Sequence, residues 1–242
     1  MADNKEMKIQ RLFGKACAEY SLLEDGDRVL VAVSGGKDSL ELVRLMGRQQ
    51  RILKPRIEVE ATHVVSPFYE TDTEYLRRFC EEAGVKLNIL RSDPTSNPHK
   101  GGENNKKTPC FICSWYRRKA IFQYAAEKGF NKVALGHHQD DILTTLLMNM
   151  TFEGSMQTMP PRLRMEHYPL TVIRPLCLVP EHLIAEHASV MGFERQRKPC
   201  PHERVTRRKA MNDIFHALER MNPEARYSLW SSMKNIHKNL LV

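Results

Sequence analysis

The stretch "VLVAVSGGKDSLELVRLM", Val29 to Met46, decides the fold. Val29 to Val33 is a short apolar, β-branched run, which reads as a buried strand. From residue 38 the apolar positions Leu40, Val43, Leu45 and Met46 follow a helical spacing, so a helix is predicted over 38–50. Between them lies Ser34-Gly35-Gly36-Lys37-Asp38-Ser39. Two glycines permit a tight turn and a close ligand approach. The free N–H groups and the dipole at a helix start favour an anion, Lys37 adds a cation and Ser39 a hydroxyl. The six residues therefore read as a phosphate cradle, against the plainer alternative of a glycine turn capped by Asp or Ser. The Walker A spacing and the dinucleotide fingerprint are both absent.

Outward from this junction the pattern repeats. A helix is expected over 7–21, a second strand over Ile57–Val65, a helix over Thr71–Glu82 ended by Gly84, and a third strand over Val85–Leu90. A long loop, Ser92–Thr108, precedes a helix over Ile112–Lys128, a strand over Lys132–Leu135, a turn "GHHQDD" and a helix over Ile142–Met150. Strand and helix alternate, which predicts an α/β fold: a parallel sheet with helices on both faces and ligands along the rim of strand C-terminal ends. Past residue 160 come the strand-like "LTVIRP", a helix near 181–191, a basic stretch at 195–209 and two helical runs. The expected division is an N-terminal helix (1–25), a nucleotide-binding domain (26–180) and a helical C-terminal extension (181–242).

The 242 residues are 41% hydrophobic and 27% charged, a globular composition that excludes fibrous and low-complexity classes. No apolar run is long enough to span a membrane and "MADNKE" has no signal-peptide core, so a cytoplasmic location is expected. Six cysteines then point to metal, catalysis or packing rather than to disulfides. The net charge of +8 suggests a polyanionic partner.

Three further features carry chemistry. Cys110 and Cys113, in "PCFICSWYRR", are spaced to meet one metal; a redox pair, half a zinc site or part of an iron–sulfur cluster are all open. Cys200, in "RKPCPHERV", could supply a third thiolate, and His202 a fourth ligand to zinc. Cys17, Cys80 and Cys177 sit in apolar contexts and read as core. Asp140 and Asp141 could cap a helix or hold Mg²⁺ with phosphate oxygens. Arg195, Arg197, Lys198, Arg204, Arg207, Arg208 and Lys209, with Arg117, Arg118 and Lys119, form two basic clusters suited to RNA phosphates, or simply solvated helix faces.

"AVSGGKDS" resembles the pyrophosphate loop of the N-type ATP pyrophosphatases, and "PCFIC", "ALGHHQDDILTTLLMNM", "MPPRL", "VIRPL" and "SSMKNIHKNLL" resemble the tRNA 2-thiocytidine synthetase family, tRNA-cytidine 2-sulfurtransferases acting in the anticodon loop. The likeness covers nearly the whole chain. It implies a Rossmann-like fold of the adenine nucleotide alpha hydrolase kind, and adenylation of a cytidine C2 oxygen by ATP followed by displacement of AMP by sulfur. It implies that Val33, Ser34, Gly35, Gly36, Lys37, Asp38 and Ser39 hold ATP phosphates, with His63 toward the adenine and Gly136 and His137 closing the nucleotide site. Lys37, Asp38, Asp140 and Asp141 would serve catalysis, with Mg²⁺. Cys110, Cys113 and Cys200 would hold an iron–sulfur (4Fe-4S) cluster. The family's late site usually carries a second Cys-x-x-Cys, whereas here Cys200-Pro201-His202-Glu203 offers one thiol; the family needs only the first. Implied partners are tRNA, ATP and a sulfur donor such as a cysteine desulfurase or free sulfide, with a homodimer as the assembly. Three rivals remain: a cysteine persulfide route, an amidating or lysine-attaching RNA enzyme, and a non-catalytic ATP or iron–sulfur sensor.

Overall fold

The structure, a computed structural model, describes residues 2–65, 72–91, 109–194, 207–237 and 239, with side chains undescribed at 2–3 and 109–112. The chain forms two compact units, residues 1–138 with 161–203 and residues 139–160 with 204–242.

The first unit is built on a six-stranded sheet: β1 (Arg28–Ala32), β2 (Glu58–Val65), β3 (Lys86–Arg91), β4 (Lys132–Ala134), β5 (Arg162–Arg164) and β6 (Thr171–Ile173), in the order β3-β2-β1-β4-β6-β5. Every pairing is parallel except β5 with β6. Helices α1 (Ala2–Glu19), α2 (Lys37–Gln49), α3 (Thr73–Glu82), α4 (Pro109–Glu127) and α6 (Glu181–Val190) belong to this unit. The parallel sheet with helices on both faces is as expected; β5, an edge strand of "RLR" exposed at all three positions, is an addition to it, too short to show as a strand in the sequence.

The apolar run of β1 follows from its place at the centre of the sheet, where both faces are covered. Val29, Leu30 and Val31 are all fully buried. Leu30 joins Val64, Val133 and Val172 from neighbouring strands and Ile121, Phe122 and Ala125 from α4. Each such side chain contributes roughly 1.5–3 kcal/mol of burial. Helix α2 packs on β1 and β2 and is itself covered by α6.

Helix boundaries shift where capping chemistry is stronger than periodicity. Helix α3 starts at Thr73 because the Asp72 carboxylate accepts from Tyr75 N at 3.0 Å. Helix α4 starts at Pro109, three residues before the expected Ile112, since proline suits a first helical position. The backbones of Cys110 and Cys113 thus lie inside one helix.

The second unit contains α5 (Gln139–Met148), continued by a π-helical turn (Asn149–Glu153), then α7 (Arg207–Met221) and α8 (Ala225–Ser232), which pack on one another. Met211 and Phe215, four apart on α7, are buried. Helix α5 starts earlier than the expected Ile142. Gln139, Asp140 and Asp141 form its first turn, where carboxylates suit the positive end of the helix dipole.

Candidate active site

Strand order reverses between β1 and β4, the place where open α/β sheets bind ligands. At the end of β1, Gly35 takes φ +80°, a left-handed value that a side chain would resist. Two serines brace the loop. The Ser39 hydroxyl donates to Gly36 O at 2.9 Å and accepts from Ser34 N at 3.1 Å, and the Ser34 hydroxyl accepts from Gly36 N at 3.3 Å. Side-chain oxygens thereby fix the loop backbone before α2 begins. No side chain caps α2, whose cap residue is Gly36. Its first-turn amides have no intrahelical acceptor and are available to an anion.

Lys37 Nζ lies 3.0 Å from Asp38 Oδ1 and 2.6 Å from Glu181 Oε1. Burial works against its charge, but the two carboxylates outweigh this and raise its pKa. Lys37 is therefore a cation at any physiological pH. His138 Nε2 stands 3.9 Å from Asp38 Oδ1, within ion-pair range.

At the end of β4, Gly136 touches the start of α2. A Cβ there would stand 3.1 Å from Ser39 N and 3.2 Å from Asp38 O, so glycine is needed for the close approach. His137 Nδ1 accepts from Arg174 Nε at 3.3 Å. Arg174, directly after β6, is 7% exposed, and burial lowers its pKa to about 10. His63 is buried and its Nδ1 bonds Val33 O at 2.8 Å, so its ring steadies the strand-to-loop junction.

The structure thus brings Val33, Ser34, Gly35, Gly36, Lys37, Asp38, Ser39, His63, Gly136 and His137 together in the first unit. Three contributors escaped sequence reasoning: Glu181, His138 and Arg174. The signal for Arg174 was a lone charge in the apolar run "VIRPL"; Glu181 carried none.

Asp140 and Asp141 are engaged within the second unit. Asp140 is 4% exposed and its Oδ1 accepts from Arg226 Nη2 at 2.7 Å. Arg226 also meets Glu219 at 2.8 Å and lies 4.9 Å from the Phe215 ring centroid. Burial opposes the Arg226 charge, but Asp140 and Glu219 prevail and raise its pKa. Asp141 Oδ1 accepts from Arg208 Nη2 at 2.7 Å and is more exposed.

Cys113 is a partly buried thiol on α4, three positions after Cys110. The Cys110 side chain, Cys200, His202, Arg195, Arg197, Lys198 and Arg204 lie outside the described residues. Among the described residues no group of three or more His, Cys, Asp or Glu could hold a metal ion. Cys17, Cys80 and Cys177 are free thiols, and burial pushes each up to about 12, which fits the packing role expected of them. No described helix is long and apolar enough to cross a membrane.

A parallel sheet with a braced glycine loop feeding an uncapped helix at its switch point defines a nucleotide-phosphate-binding α/β protein. The chain belongs to the PP-loop domain family, which matches residues 1–208, and within it to the tRNA 2-thiocytidine synthetase family. It is similar to a curated tRNA-cytidine(32) 2-sulfurtransferase of Cellvibrio japonicus, at 32% identity over 98% of this chain and 78% of that protein. A protein of the same name from Citrifermentans bemidjiense is 34% identical over 97% of this chain and 92% of its own length. Among solved structures, U34-tRNA thiolase NcsA from Methanococcus maripaludis, with its 4Fe-4S cluster, superposes with a TM-score of 0.79 at 22% identity, covering 99% of this chain and 83% of that one. That likeness shows the shared fold.

Proposed function

We propose that this chain is an ATP-dependent tRNA sulfurtransferase that converts a cytidine of the anticodon loop to 2-thiocytidine. The cytidine C2 oxygen attacks the α-phosphorus of ATP and pyrophosphate departs. Sulfur then bonds to C2 and AMP leaves with the original oxygen. The observation that carries this reading is the serine-braced Ser34–Ser39 loop, in a chain similar over nearly its whole length to two curated tRNA-cytidine(32) 2-sulfurtransferases.

The amides of the first turn of α2 hold the phosphates, and Lys37 exchanges a carboxylate partner for phosphate oxygen as charge builds on the leaving pyrophosphate. Asp38 is assigned to Mg²⁺ or to the pyrophosphate it accompanies. Asp140, through Arg226, fixes the first turn of α5. His63 lies toward the adenine, and Arg174 orients His137 beside the nucleotide. Catalysis of this kind is mainly positioning and electrostatics.

The thiol spacing suits an iron–sulfur cluster as far as it is described: Cys113 is a partly buried thiol, and Cys110 sits three positions earlier on the same helix. Cys110, Cys113 and Cys200 would hold it. Three protein thiolates would leave one iron of such a cluster without a protein ligand, and the chemistry it would supply is a site for sulfide. The domain arrangement proposed is a PP-loop ATP pyrophosphatase domain over 26–180, with the 181–242 extension supplying Cys200. A cysteine desulfurase or free sulfide as donor, a homodimer and a cytoplasmic location complete the reading.

The test is nucleoside analysis of total tRNA by mass spectrometry in cells with and without the gene. The expected result is loss of 2-thiocytidine in the deletion, restored by the wild type but not by Cys110→Ala or Asp38→Ala. Unchanged 2-thiocytidine in the deletion would overturn the proposal.

A further inference from the structure

The second unit carries an exposed aromatic ring that the adenylation site does not use. Phe152 lies in the π-helical turn after α5 and is 46% exposed. The Arg207 guanidinium, from the start of α7, lies 5.0 Å from the Phe152 ring centroid. Met150 and Met156 are exposed on the same turn and the segment after it. An apolar turn left in water calls for an explanation.

The turn is not a loose excursion. Thr151 Oγ1 donates to Leu147 O at 2.7 Å, and Asn149 Nδ2 donates to Gln157 O at 2.8 Å. Ser155 N donates to Asn149 O at 3.1 Å, and Gly154 closes the turn at φ +60°. Thr158 Oγ1 donates to Ile142 O at 2.6 Å and ties the following segment back to α5. The fold thus spends several hydrogen bonds holding Phe152 in a fixed, outward place.

A ring held in place, with a guanidinium over it from a helix whose first three residues are basic, matches an unpaired nucleotide. The base can stack on the ring or on the guanidinium plane, and the phosphate has positive charge to meet. Arg207, Arg208 and Lys209 are all exposed. Arg208 is paired with Asp141, whereas Arg207 and Lys209 have no carboxylate partner among the described residues. Glu153 is the one acidic residue of the turn. The positive charge at the ring favours a phosphate-bearing partner as the occupant.

We propose that Phe152, with Arg207, is a stacking platform for an unpaired base of the RNA substrate. The proposal rests on the tRNA reading above for its ligand but not for its chemistry. It makes Phe152 a binding residue of the RNA and gives it no part in ATP binding.

The experiment uses the full chain and an unmodified anticodon stem-loop RNA, with affinity read by fluorescence anisotropy. Phe152→Ala should weaken binding about tenfold or more, the scale of one lost stack. Phe152→Leu should fail equally, and Phe152→Tyr should restore binding. The salt dependence should separate the pair: Phe152→Ala leaves the slope of log K against log salt unchanged, while Arg207→Ala reduces it by about one. The far-ultraviolet circular dichroism and melting temperature of Phe152→Ala should match the wild type, because the ring is exposed. Binding within twofold of wild type for Phe152→Ala would overturn the platform. So would full binding by Phe152→Leu, which would mark a merely apolar contact and favour a protein partner. Loss of the tRNA reading shows differently: 2-thiocytidine would persist in the deletion while Phe152-dependent RNA binding survived.

Discussion

Asp140→Ala is the most informative single change, because Asp140 and Arg226 are both almost entirely buried and 2.7 Å apart. Removing one member of a buried pair typically costs about 3–5 kcal/mol, since the other charge is left unpaired. Here Glu219 still holds Arg226 through Nε at 2.9 Å and Nη2 at 2.8 Å, and it is partly exposed. The remaining carboxylate offsets part of the loss, so about 2–3 kcal/mol is expected, at the level of one charged hydrogen bond. Asp140→Asn keeps an acceptor toward Arg226 and should cost about half as much. Arg226→Met should be destabilising alone, yet the double variant Asp140→Ala/Arg226→Met should recover about 1.5–2.5 kcal/mol relative to the sum. The assay is urea unfolding of the wild type and the four variants, with hydrogen exchange of α5 and α7 to follow the second unit separately, since two compact units need not unfold together. Additivity within about 0.5 kcal/mol would refute the reasoning. Activity gives an independent reading: a positioning role lets the double variant regain turnover that Asp140→Ala loses, and a direct role in binding metal or phosphate does not.

Other expectations follow from the same geometry. Gly136→Ala places a Cβ 3.1 Å from Ser39 N and must push the β4 loop from the start of α2 by a few tenths of an ångström. ATP affinity should fall about threefold to tenfold by calorimetry with little change in melting temperature, given that ~1 Å of misplacement can cost about a hundredfold. In the native protein Cys17, Cys80 and Cys177 should resist iodoacetamide at pH 8 and become labelled only on unfolding, as peptide mapping would show, because burial holds the three thiols near 12. Burial alone would raise the Glu41 pKa, but bonds from His187 at 2.9 Å and Arg44 at 2.9 Å prevail and depress it below 4.5, and Glu6 is depressed by Arg44. A carboxylate with a depressed folded pKa adds stability above its unfolded value and loses it as pH falls through the folded value. Stability should therefore decline below about pH 4.5. Glu41→Gln should flatten that acid limb in denaturation curves taken between pH 3 and pH 6, and an unchanged limb would count against the Glu41 assignment.

The sequence determined the sheet and the cradle by short-range logic. An apolar β-branched run can be satisfied only as a covered central strand, and a glycine pair before a helical period exposes the amides of that helix. Both facts reside within eighteen consecutive residues, Val29 to Met46, so no tertiary information was needed to find the site. The cysteine spacing was legible for the same reason, being local to one turn of α4.

What local pattern could not supply was the identity of partners far apart in the chain. Glu181 meets Lys37 across 144 residues of separation, and nothing in "VPEHLIAEH" marks it as part of a phosphate site. The pair Asp140–Asp141 looks symmetrical in sequence, yet adjacent positions on a helix face different ways. Folding sends Asp140 to a buried arginine eighty-six residues on and Asp141 to Arg208 on another helix. The N-terminal limit of α5 was missed because its first turn is polar and carries no apolar period, so the dipole and the arginines decide it. Strands, loops and ligand spacing are properties of neighbouring residues and are written in the sequence. The charge state, burial and direction of a side chain depend on what the fold lays against it, and only the tertiary structure decides them.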